Sequence, residues 1–98
     1  MNYNDIFGAE MALQELIEMP LPVGLALDVA AAFDEISGLK RNAILALGQN
    51  PSQERIDELA VRTADVKAKI KRSDLINGVS EIKPKILYNL RELLVDEV

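Results

Sequence analysis

Residues 19–51 read MPLPVGLALDVAAAFDEISGLKRNAILALGQNP, a helix-forming stretch with proline at both ends. Pro20 and Pro22 each remove a backbone donor and push the residue before them out of the α region, so whatever precedes Met19 stops there. Val23 to Leu47 then runs without proline, and Gly48 ahead of Pro51 supplies a C-cap glycine and a new start. At about 1.5 Å per residue such a helix is roughly 37 Å long. A domain of this size spans only about 30–35 Å. The long helix therefore fits as one arm of a hairpin or as part of an oligomer, and a homodimer is the assembly expected.

Outward from this stretch, the pattern stays helical. On its N-terminal side Asn4 or Asp5 can cap a first helix carrying Ile6, Ala9, Leu13, Leu16 and Ile17 at helical spacing and ending by Glu18. The long helix itself carries a seam of Val29, Phe33, Ile36, Ala43 and Leu47, interrupted by Lys40. Ala26, Ala30, Ala31 and Ala32 would let another backbone approach, so its first half is expected to be the more buried. Gly38 costs about 1 kcal/mol against alanine and is expected to mark a bend or a close crossing. On the C-terminal side Asn50 reads as an N-cap, with Pro51 at the first helical position and Gln53 closing a capping box. Ile56, Leu59 and Ala60 then form the apolar stripe of a helix antiparallel to the long one.

Beyond Thr63 two periods compete. Ile56, Leu59, Thr63, Val66 and Ile70 fit a continued helix, whereas Val66 to Lys71 alternates strictly, as an edge strand studded with lysine does. The turn residues Arg72-Ser73-Asp74 and Asn77-Gly78 favour the strand. Its partner would be Met1-Asn2-Tyr3 or a second subunit. Pro84 suits a helix N1, and Ile86, Leu87, Leu90, Leu93 and Leu94 make the last apolar stripe. The expected fold is mainly α, a single helical domain over 1–98. It is an antiparallel helical hairpin (Val23–Leu47 with Pro51–Thr63) with flanking helices and one short β-ribbon joining Met1–Tyr3 to Val66–Lys71.

Composition narrows the chemistry. Hydrophobic residues make up 49% of the chain and aromatics 4%, so the core is built from Leu, Ile, Val and Ala, with Phe7, Phe33, Tyr3 and Tyr88 as the only rings; Phe33, on the seam of the long helix, is either a core ring or an exposed partner-binding anchor. Histidine and cysteine are absent, which removes disulfides, Cys/His zinc sites, thiol catalysis and every histidine-based relay. The start lacks the regions of a signal peptide, and no apolar run of about 18 residues suggests a membrane span. Asp34-Glu35 and Asp57-Glu58 point their carboxylates in different directions on a helix, and Ser37, Ser52, Ser73 and Ser80 have no histidine partner. The glycines are isolated and make no phosphate loop. No cofactor is implied, and the expectation is a protein that is not an enzyme.

Charge is the one uneven property. Residues 1–39 hold seven acids and no Lys or Arg, while Arg62 to Arg91 hold eight basic residues against three acids, before Glu92, Asp96 and Glu97 turn acidic again. The plain reading is that these regions face one another within the fold. The sharper reading is an acidic face (Glu10, Glu15, Glu18) and a basic one (Lys67, Lys69, Lys71) used for assembly or for a partner. A pI near 4.6 and few aromatics argue against a dedicated nucleic-acid binder. Ala30 is a candidate for a dimer seam, and Leu87, Leu90 and Leu94 for a helix-in-groove anchor.

Two stretches carry a resemblance. Ala12-Leu13-Gln14-Glu15-Leu16, then Leu21-Pro22-Val23 and an alanine-rich helix, make the first. Ile70-Lys71-Arg72-Ser73-Asp74-Leu75, then Ile82-Lys83-Pro84, Leu87 and Leu90 ahead of an acidic end, make the second. Together they resemble a family of small uncharacterised proteins encoded by bacteriophages and prophages. The resemblance implies a viral origin, a place in the bacterial host cytoplasm or the virion, and no enzymatic residues. The function expected is protein–protein interaction as a virion or assembly component. The alternatives are an inhibitor of a host defence or regulatory protein, and a small-ligand sponge. A phage or host protein would be the partner.

Overall fold

The computed structural model describes residues 1–96, so Glu97 of the acidic end lies outside the described residues. Five helices and a two-stranded parallel pair follow in the order α1 (Tyr3–Ile17), α2 (Val23–Leu47), α3 (Gln53–Val61), β1 (Ile70–Lys71), α4 (Arg72–Gly78), α5 (Pro84–Asn89) and β2 (Leu94–Val95). The fold is mainly helical, and α2 has the bounds its prolines and glycine set. Gly48 closes it at a φ of 74°, a conformation that a side chain would strain. The molecule is elongated, measuring 43 × 26 × 22 Å along its principal axes.

The antiparallel hairpin is there, but its weight lies between α1 and α2, not between α2 and α3. Burial explains this. Helix α1 sinks Ile6, Ala9, Ala12, Leu13 and Leu16 into the core, against Leu25, Val29, Ala32 and Ile36 of α2. Helix α3 has no buried residue; it lies against α1 and the distal end of α2, where the Arg55 guanidinium donates to the Ala46 carbonyl at 3.1 Å. The core is completed from the C-terminal third by Ile70, Leu75, Ile86, Leu90 and Leu93.

Several local expectations change. Asn2 caps α1, its side-chain oxygen accepting from Asp5 N at 2.8 Å, so the helix begins ahead of Asn4. Ser52 caps α3 and accepts from Arg55 N at 3.3 Å, while Asn50 sits at a φ of 52° in the turn. The start of α2 is not the more buried end: it presents Leu25, Val29 and Ala32 inward and leaves Val23, Leu27, Ala30 and Ala31 exposed. Phe33 is half-buried at the edge of the core. A Cβ on Gly38 would meet nothing within 4 Å, so among the described residues no element crosses on that side.

The β-ribbon has other partners than expected. Met1–Tyr3 does lie antiparallel to a later segment, but to Arg62–Ala64: Asn2 bridges Thr63, with Tyr3 N donating to Arg62 O at 3.0 Å and Ala64 N to Met1 O at 2.9 Å. Of the alternating segment only Ile70–Lys71 is strand, and it pairs in parallel with Leu94–Val95. Lys67 and Ala68 have a different acceptor, the Glu35 carboxylate of α2, which takes Lys67 N at 2.7 Å and Ala68 N at 3.0 Å. The residues read as a turn, Arg72 to Gly78, form the short helix α4.

Candidate functional site

Helix α4 is anchored on one face only. Leu75 is buried, and Gly78 lies against Pro22 and Leu25, where an added Cβ would come within 2.7 Å of Leu25 Cδ2. The neighbouring Ile76 points away from this anchor and stays 75% exposed. Across from it, α5 starts at Pro84, buries Ile86, and turns Leu87 and Tyr88 outward, with Tyr88 64% exposed. Between the two helices runs a groove of about 370 Å³ floored by Leu75, Ile76, Leu87, Tyr88 and Leu94, with Arg72 and Arg91 as its polar members.

The two arginines are held differently. Arg91 is fixed three ways: its guanidinium carbon stands 4.2 Å from the centre of the Tyr88 ring, Nη1 donates to Tyr88 O at 2.9 Å, and Nη2 donates to Asp5 Oδ1 at 3.0 Å. Stacking plus a carboxylate leaves this fork oriented before any partner arrives. Arg72 has only a 3.5 Å contact to Asp96, with both side chains exposed. Such a pair is worth about 0–1 kcal/mol, so Arg72 can change partners at little cost. An apolar floor with one fixed and one adaptable cation suits an apolar anchor flanked by carboxylates. Among the described residues no three acidic side chains gather as metal ligands, and no helix is long and apolar enough to cross a membrane.

The residues singled out in the sequence are dispersed. Leu87 and Leu94 line this groove, but Leu90 is fully buried and serves the core instead of a partner. Glu10 is also withdrawn: it is 8% exposed and accepts from Lys40 Nζ at 3.0 Å, tying α1 to α2. Glu15 lines a shallow cleft between α1 and α5 with Lys83 and Lys85, and Glu18 is exposed at the end of α1. Lys67, Lys69 and Lys71 are exposed, with Lys69 Nζ 3.5 Å from the Glu92 carbonyl. Ala30 is exposed on the outward side of α2. The groove's other members, Arg72, Leu75, Ile76, Tyr88 and Arg91, are not marked by periodicity. Ile76 sits among turn-like residues, and the helical conformation of α4 brings it to the same groove as Tyr88. No protein-family model, curated protein or solved structure matches this chain.

Proposed function

We propose that this chain is a non-enzymatic, phage-encoded interaction protein that serves virion assembly by holding an acidic, apolar segment of another phage protein in the groove between α4 and α5. The phage origin follows from the resemblance of residues 12–23 and 70–90. The observation that carries the mode of action is the exposure of Ile76 and Tyr88 in one groove that Arg72 and Arg91 also line. Large apolar side chains grouped on a surface favour a partner that covers them, and the cations select which one.

Photo-crosslinking during infection tests this. A crosslinking residue at position 76 or 88 is expected to form an adduct with a virion polypeptide, and Leu87→Asp in the same chain is expected to abolish it. An adduct with a host protein, equally sensitive to Leu87→Asp, would instead establish the inhibitor of a host defence or regulatory protein. Adducts no stronger than those from exposed Gln49 in the α2–α3 turn would overturn the groove as the binding site.

A further inference from the structure

The side of α2 that faces away from the core is a continuous stripe. Val23, Leu27, Ala30, Ala31, Asp34, Arg41 and Leu45 follow one another at steps of three, four and seven, with Ala30 and Ala31 adjacent, opposite the buried Leu25, Val29, Ala32, Ile36 and Ala43. Its large members are well exposed, Val23 at 77%, Leu27 at 67% and Leu45 at 72%. Helix α3 lies on another side, where Arg55 bonds the Ala46 carbonyl and a cleft is shared with Leu47, as does the Glu35 carboxylate.

We propose that two copies of this chain pair through this face, their α2 helices antiparallel about a two-fold axis between Ser37 and Gly38. Charge sets the direction. Among the described residues neither Asp34 nor Arg41 has an ion-pair partner in its own chain. In the antiparallel arrangement Asp34 lies opposite Arg41 of the partner subunit, and by symmetry Arg41 lies opposite the partner's Asp34. A parallel two-fold pair would set each against its own kind. Size agrees with charge. In the same register Leu45 falls opposite the partner's Ala30, so a large side chain meets a small one on each side of the axis. Gly38 lies beside that axis. It is costly inside a helix and has no neighbour among the described residues of its own chain to explain it, but it lets two backbones approach. The pairing is independent of the groove between α4 and α5.

Sedimentation equilibrium from about 1 to 100 μM, on chains whose helicity is checked by circular dichroism, reads the outcome. The wild type is expected to dimerise. Asp34→Arg and Arg41→Asp are each expected to weaken the dimer about tenfold or more, and the double reversal to restore it. The chain has no cysteine, so single engineered thiols report the direction. Gly38→Cys is expected to form a disulfide-linked dimer readily, and Val23→Cys is not, because antiparallel helices place the two copies of that residue far apart. A wild type monomeric at about 100 μM, a dimer indifferent to the single reversals, a double reversal that fails to restore it, or equal crosslinking through both thiols would each overturn the proposal.

Discussion

The Glu35 carboxylate accepts from two consecutive backbone amides, and so fixes an extended segment that has no ladder of its own at Lys67 and Ala68. Glutamine at this position keeps one acceptor oxygen but turns an amide donor towards a backbone N–H. Glu35→Gln is expected to lower stability by about 1–2 kcal/mol, the lower part of the range for bonds to a charged group because one of the two is exposed; urea titration measures it. The glycines make a second contrast. At Gly78 a methyl group would press on the Pro22 ring, at 3.1 Å from its Cδ, as well as on Leu25. A ring cannot step aside, so overpacking of about 1–3 kcal/mol outweighs the helix-propensity gain of about 1 kcal/mol, and Gly78→Ala is expected to destabilise. At Gly38 there is no such neighbour among the described residues, and Gly38→Ala is expected to stabilise the monomer by up to about 1 kcal/mol, read as a raised melting temperature.

Among the elements, α2 is packed by α1, α4 and β1, with α1 reaching into its distal half through Glu10 and Lys40, and α3 lies at its far end. Phe33 belongs to the first half but sits at its margin. Phe33→Ala is therefore expected to cost about 1–2 kcal/mol in chemical denaturation, below the 3–5 kcal/mol of a fully buried ring. Helix α3, with no buried residue, is expected to lose its amide protons in hydrogen exchange well before the amides of Leu13 and Leu16 in α1. How legible each element was follows from the same physics. Helices α1 and α2 were readable because their apolar residues keep helical spacing between clear stops, and Pro84 announced α5. The alternation from Val66 to Lys71 is real, but a distant carboxylate, not a strand partner, satisfies part of it. Helix α4 was unreadable because its seven residues are mostly polar and its one buried side chain, Leu75, gives no periodicity. The groove inherits that difficulty, since half of it is α4. The sequence marked Leu87 and Leu94 but could not say that Leu90, on the same stripe, would be taken by the core.

At the scale of the whole molecule, the uneven charge is partly spent inside the fold. Asp5 reaches Arg91 and Glu10 reaches Lys40, each at 3.0 Å, so two acids of the first third serve as internal ties. Reversing Glu10 would unsettle the hairpin before it tested any surface. The charges left to act on a partner at the groove are the arginines, chiefly Arg72. Partner association is expected to slow as salt is raised, because attraction between exposed charges fades beyond about 8–10 Å at physiological ionic strength. Arg72→Glu is expected to reduce the association rate more than it raises the dissociation rate, as stopped-flow mixing can resolve. An association rate unchanged by salt or by this substitution would leave the apolar floor as the whole of the recognition.

The bond between Glu35 and the segment at Lys67 also bears on the order in which the chain acquires its form. Helices α1 and α2 are neighbours in sequence and can dock over a short connection, whereas Asn2 with Thr63, Glu35 with Lys67, and Ile70 with Leu94 must each close a long loop. Contacts that close long loops pay closure entropy before they stabilise anything, and a contact made only after the hairpin has docked is absent from the rate-limiting ensemble. Weakening one of them changes escape from the native state and leaves entry into it nearly untouched. Glu35→Gln should thus shorten the lifetime of the folded chain while its refolding rate stays close to wild type, so that the carboxylate acts as a latch on a hairpin already made.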